Sequence, residues 1–134
     1  MAGFNEQIIE EFRANGGKVG GFFAGSNLLL LHTIGAKSGD PRLHPLVYQP
    51  LGESYAVFGS KAGADSHPAW YHNLLANPRC RIEVGTETID VLARVASDDE
   101  RQPIWERQKQ IAPGFADYES KTDRQIPVVI LDPA

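Results

Sequence analysis

Apolar positions near the N-terminus recur at helical spacing. Phe4, Ile8, Ile9 and Phe12 fall on one face, with Glu6, Glu10 and Glu11 early and Arg13 late, the order a helix macrodipole favours. Asn15, Gly16 and Gly17 stop this helix, and the glycine-rich GGKVGGFFAGSN reads as a loop or lid leading to a first strand at about residues 27–33. The next segments, LHPLVYQP and SYAVFGS, are rich in β-forming residues and separated by the turn LGE; Pro45 asks for an edge position or a bulge. A short helix follows in SHPAWYHNLLANP, with Ser66 as the expected cap, Pro68 in its first turn and Asn77-Pro78 at its end. RCRIEVGTETIDVLARVA has a clean period of two, Cys80, Ile82 and Val84 facing one way and Arg79, Arg81 and Glu83 the other, and turns at Gly85 into a second alternation: a hairpin. Ser97 and Glu100 form a capping box for a helix carrying Ile104, Trp105, Gln108 and Ile111, in which Pro103 predicts a kink or a restart. A last helical turn, FADYESK, precedes the strand IPVVIL.

The pattern totals about six strands and three or four short helices, joined by hairpins and short helices in place of regular βαβ units. The pattern therefore disfavours a doubly wound parallel sheet and fits an α+β, mostly β fold better: a small, mostly antiparallel barrel whose mouth loops carry the chemistry. A length of 134 residues suits a single domain over 1–134, with 1–26 as its N-terminal helix and glycine-rich loop. A net charge of −4 removes the broad basic field that nucleic acid requires, and leaves room only for a local cation cluster. The lone Cys80 forms no internal disulfide, no basic and apolar leader opens the chain, and the longest apolar run is Leu28 to Leu31, so the expected compartment is the cytoplasm.

Chemistry concentrates at IGAKSGDPRLHPL. The phosphate loop of nucleotide triphosphatases does not match it: Lys37 lacks the preceding glycine frame, and Pro41 leads into a strand where that loop needs a helix. Two readings of the residues remain. One is an ordinary solvated hairpin turn; the other is a compact anion site with Lys37 and Arg42 as charges, Ser38 as hydroxyl donor, and free amides at Ser38 and Gly39. His32, His44, His67 and His72 have neither the spacing nor the cysteine companions of a zinc site, so no metal is expected. Ser60 lies outside any nucleophile elbow, which argues against acyl transfer.

Taken together, LLLLHTIGAKSGDPRLHPLVY, FGSKAGADSHPAWYHNLLANP and PGFADYESKTDRQIPVVIL resemble the deazaflavin-dependent nitroreductase family, the F420-dependent reductases built on a split β-barrel. The resemblance covers nearly the whole chain from about Leu28 onward. It implies that Lys37, Ser38, Gly39 and Arg42 hold the phosphate of coenzyme F420, and that Ser60, Lys61, Ala62, Gly63, Trp70 and Asn73 lie against the deazaflavin ring. It also implies a substrate pocket bordered by Phe115 and Tyr118, with Tyr118, Ser60 or water returning a proton during reduction of a quinone-like or other conjugated lipophilic acceptor. The alternatives are an FMN-binding barrel reductase and a non-catalytic cofactor or lipid carrier. Ala36 stands where relatives commonly carry arginine and Asp40 adds a negative charge to the turn, both expected to weaken binding of a polyanion. Ala112 and Phe115 replace tyrosines of the nitro-reducing relatives, so nitroimidazole reduction is not implied. For partners, the expectations are a small-molecule hydride acceptor, no nucleic acid, and a homodimer. The N-terminal helix is expected to pack on the core, with peripheral membrane contact as the alternative that its acidic face disfavours for anionic lipid.

Overall fold

The computed structural model describes residues 4–18, 27–60 and 67–134, with side chains from residue 6 onward. Six antiparallel strands close into a barrel in the order β1-β2-β3-β6-β5-β4, so the expectation of a mostly β barrel is met. They are β1 (Leu28–Ile34), β2 (Pro41–Leu51), β3 (Ser54–Phe58), β4 (Arg79–Val84), β5 (Glu87–Val95) and β6 (Val128–Pro133). The helices are α1 (Phe4–Ala14), α2 (Ala69–Ala76), α3 (Asp98–Ile111) and α4 (Gly114–Ser120).

The run of four leucines in β1 shows how the layers arise. Alternate strand residues face opposite sides, and here both sides are covered. Leu29 and Leu31 point into the barrel with Val57, Ile82, Val91, Val129 and Leu131, where Trp70 and Leu74 of α2 join them. Leu28 and Leu30 point outward beneath Ile8 and Phe12 of α1, with Leu43 and Val47 beside them, so the first helix packs on the core as expected. On another side of the barrel, α3 lays Ile104 and Trp105 over Ala56, Phe58, Val128 and Ile130. Burying a large apolar side chain is worth about 1.5–3 kcal/mol. The buried polar Gln49 is satisfied in the same layer, donating to the Ile104 carbonyl at 3.1 Å and to Gln108 at 3.3 Å.

Three local expectations change. Strand β2 starts at Pro41, two residues before the apolar stretch that signals it, which puts Arg42 on a strand paired with Thr33. Pro45 pairs with Leu30 on β1, whereas β3 joins β2 only from Tyr48 onward, so the missing N–H falls where β2 has one neighbour. Helix α3 runs through Pro103 as one helix from Asp98 to Ile111 without the expected restart. Pro103 is exposed, and the Ser97–Glu100 capping box and the buried Ile104, Trp105 and Gln108 hold the helix on both sides of it. Helix α2 has Pro68 at its N-cap position with no side-chain cap bond; Ser66, expected there, lies outside the described residues.

Candidate cofactor site

The turn from β1 to β2 is tied by its own backbone. Gly39 N–H donates to the Gly35 carbonyl at 2.9 Å and Gly35 N–H to the Asp40 carbonyl at 2.8 Å, while the Asp40 N–H donates to Ser38 Oγ at 3.2 Å. Gly39 sits at φ 74°, left-handed backbone that favours glycine, and a Cβ on Gly35 would come within 2.5 Å of Ser38 Oγ. The amide of Gly39 is thus engaged within the turn, contrary to its expected role as a free donor. The Ser38 amide, like that of Lys37, has no acceptor among the described residues. Ser38 Oγ accepts from Asp40 and keeps its own proton to donate. Asp40 closes the turn through its backbone, and its carboxylate does not line the cleft described next.

Helix α2 packs against this turn. Between them lies a cavity of about 400 Å³, lined on the turn side by Gly35, Ala36, Lys37 and Ser38, on β2 by Arg42 and His44, and on α2 by Ala69, His72 and Asn73. Lys37 and Arg42 form no ion pair among the described residues, and no carboxylate is part of this lining. Asn73 is buried and holds the turn in place: its Oδ1 accepts the Ala36 N–H at 2.9 Å, and its Nδ2 donates to Thr33 Oγ1 at 3.0 Å. Thr33 in turn meets His44 Nε2 at 3.1 Å. Burial, and secondarily the charge of Arg42, lowers the His44 pKa below its ordinary value, which keeps the ring neutral. Thr33 and His44 carry no motif. Their signal is the period of two in β1 and β2, which turns Thr33, Arg42, His44 and Leu46 toward one face once the strand is begun at Pro41.

The other expected site residues lie elsewhere around the barrel. Trp70 is buried in the core cluster and is not part of the cleft lining. Phe115 and Tyr118 of α4 form an aromatic stack, 5.2 Å between ring centres, which continues to Phe58 at 5.5 Å and Trp105 at 6.0 Å from Phe115. Ser60 follows Phe58 by two residues, and its carbonyl accepts from Arg124 Nη2 at 2.9 Å. Arg124 also reaches His67 Nδ1 at 3.0 Å. The pKa of His67 is lowered by burial first and then by the neighbouring Arg124 and His72, so it accepts as a neutral ring. Arg124 is a residue that no motif singled out. Lys61, Ala62 and Gly63 lie outside the described residues. Among the described residues there is no group of His, Cys, Asp or Glu arranged to hold a metal. The Cys80 thiol, its pKa pushed up to about 11 by burial, is no nucleophile at neutral pH. No helix of the described residues is long and apolar enough to cross a membrane.

Comparison with known proteins gives the family. Residues 6–133 match the family model of F420H(2)-dependent quinone reductase. The chain is 38% identical over 124 residues to the F420H(2)-dependent quinone reductase Rv1261c of Mycobacterium tuberculosis (strain ATCC 25618 / H37Rv), covering 90% of this chain and 83% of that one. Among solved structures it is similar to F420-H2 dependent reductase FDR-A, with a TM-score of 0.72 and 38% identity over 79% of this chain and 94% of the other. A second structure, described as a domain-swapped dimer, matches with the same TM-score and identity over 79% of this chain and 80% of its own. The family shown is the quinone reductases, which narrows the broader resemblance to deazaflavin-dependent nitroreductases seen in the motifs. The match over nearly its full length places this chain in the F420H(2)-dependent quinone reductase family of oxidoreductases.

Proposed function

We propose that this chain seats the phosphate end of coenzyme F420 in the cleft between the β1–β2 turn and α2, and reduces a quinone-like acceptor at the barrel mouth. The observation that carries the reading is the cleft itself. Among the described residues, two cations without ion-pair partners, Lys37 on the turn and Arg42 at the start of β2, a hydroxyl with its proton free and two turn amides without acceptors border a cavity of about 400 Å³ that no carboxylate lines. Such a donor set fits a phosphate oxyanion, and the volume lies within the range of small-molecule sites.

Each group then has a task. Lys37 and Arg42 supply charge to the phosphate, Ser38 donates its hydroxyl proton, and Asn73 keeps the turn from moving by holding the Ala36 amide. The bound cofactor in its reduced form supplies the hydride. The half-buried rings of Phe115 and Tyr118 give the acceptor an apolar wall and limit water, and the hydroxyl of Tyr118 or of Ser60 serves as proton donor to the reduced oxygen.

Titration of oxidised coenzyme F420 and of FMN into the protein, followed by turnover of the reduced deazaflavin with a simple naphthoquinone, tests the reading. Tighter binding of the deazaflavin and quinone-dependent oxidation of F420H2 are expected. Tighter binding of FMN, or binding without turnover, would overturn it in favour of a flavin reductase or a carrier.

A further inference from the structure

The hydrogen bonds around Asn73 run in one direction, and that direction fixes the tautomer of His44. The Ala36 backbone N–H can only donate, so the side-chain atom of Asn73 that meets it is the oxygen, and the other atom, which meets Thr33, is the NH2 group. Thr33 Oγ1 therefore accepts from Asn73. Thr33 is buried, and among the described residues its hydroxyl proton has no acceptor other than His44 Nε2. A buried hydroxyl proton left without a partner is costly, so the O–H points at Nε2 and that nitrogen carries a lone pair. In a neutral imidazole the proton then resides on Nδ1. Nδ1 has no partner among the described residues, and His44 lines the cleft beside Arg42 and Lys37.

We propose that His44 is an additional ligand-binding residue of the phosphate cleft, offering its Nδ1–H to the anion as a neutral donor alongside Lys37 and Arg42. The inference deepens the proposed function and rests on its placement of the phosphate. It differs from that placement in chemistry: the donor is uncharged, oriented by a chain of hydrogen bonds that begins at the turn backbone, and insensitive to screening by salt. Among the described residues nothing facing the ring favours a charged form, since Arg42 on β2, Lys37 on the turn and His72 on α2 share the cleft and no described carboxylate lines it.

Two substitutions separate the nitrogens. The amide of asparagine reaches about as far as Nδ1 of histidine, and that of glutamine about as far as Nε2. His44→Asn keeps a donor toward the cleft and loses the acceptor for Thr33; His44→Gln keeps the acceptor and loses the donor. Equilibrium binding of oxidised coenzyme F420 is measured for both, with His44→Ala and Lys37→Ala in parallel and thermal melts as folding controls. The proposal expects His44→Gln and His44→Ala to weaken binding about fivefold, as loss of one neutral hydrogen bond does, and His44→Asn to stay near the parent. Rescue by glutamine with loss by asparagine would overturn it, assigning His44 to the support of Thr33 alone. Unchanged affinity in all three His44 variants while Lys37→Ala binds weakly would overturn it and leave the phosphate placement standing; unchanged affinity in Lys37→Ala would remove that placement itself. Nitrogen-15 NMR of the ligand-free protein supplies a readout independent of binding: a protonated Nδ1 and an unprotonated Nε2 are expected, and the reverse tautomer would contradict the hydrogen-bond chain.

Discussion

Two groups of positive charge flank β1 and are used in opposite ways. On the outer face, Arg13 of α1 grips Glu83 of β4 with two bonds of 3.1 and 2.7 Å, and His32 of β1 meets the same carboxylate at 2.7 Å. At the end of the same strand, Lys37 and Arg42 have no ion-pair partner among the described residues and line a cavity. The outer group joins α1, β1 and β4, and its charges are matched within the fold. The backbone that carries the inner group is tied by neutral bonds from Asn73 to Ala36 and Thr33, and in the proposed function its charge is left for the phosphate. Charge that is paired supports structure, and charge positioned by uncharged scaffolding beside a cavity supports binding.

The largest expected effect comes from the residue where the two uses meet. Asn73→Ala removes the acceptor of the part-buried Ala36 amide and the donor to the buried Thr33 hydroxyl, which keeps its bond to His44. One amide left without a partner and one lost bond to Thr33 predict a loss of about 1–3 kcal/mol in stability together with weakened F420 binding, measured by chemical denaturation and by titration. A variant that lost affinity without losing stability would show that Asn73 touches the ligand and does not hold the turn.

A smaller effect, confined to stability, is expected from Glu83→Gln. Its carboxyl is held below the ordinary carboxylate range, first by the hydrogen bond from Arg13, against a smaller opposing effect of burial, and also by the bond from His32. The folded pKa is lowered, so the contribution is fully present above the unfolded value of about 4.3 and is lost as pH falls through the folded value. Arg13 is half exposed, and solvent screening limits the loss to about 0.5–1 kcal/mol at neutral pH. Melting curves from pH 7 down to pH 3 should therefore converge for parent and variant at the acid end, while F420 affinity at pH 7 stays equal. A change in affinity would mean that the outer group acts on the cleft.

The smallest effect is a gain. Ala36→Arg adds a third cation beside Lys37, but Ala36 is exposed, so the new charge is worth about 1 kcal/mol or less and tightens binding a few-fold. The gain should vanish at high salt, and isothermal titration at two ionic strengths measures both parts. No change at low salt would mean that the new side chain turns away from the phosphate.

What was legible in the sequence followed from local repetition. The β4–β5 hairpin declares itself through alternation around Gly85, and the start of α3 through Ser97 and Glu100, because each feature is complete within a few residues. The turn residues Lys37, Ser38 and Arg42 were visible as a motif, although Arg42 proved to belong to a strand: Pro41 and Arg42 look like turn residues, and only pairing with Ile34 and Thr33 makes them extended. Of the kink or restart expected at Pro103, the restart does not occur, because the cap before it and the buried residues after it hold one helix. The chain from Ala36 through Asn73 and Thr33 to His44 was hidden, since it links a turn, a helix and two strands that only barrel closure brings together. Arg124 was hidden for the same reason, its partners Ser60 and His67 lying far back in the chain.

The central claim is that the charge of the β1–β2 turn, without an ion-pair partner among the described residues, is reserved for the cofactor's phosphate, and the equilibrium dissociation constant of coenzyme F420 for Lys37→Ala tests it most directly. A rise of about tenfold or more is predicted, equivalent to about 1.4 kcal/mol, with the difference shrinking in high salt and the melting temperature unchanged. A folded Lys37→Ala protein that binds coenzyme F420 as tightly as the parent at low salt would contradict it.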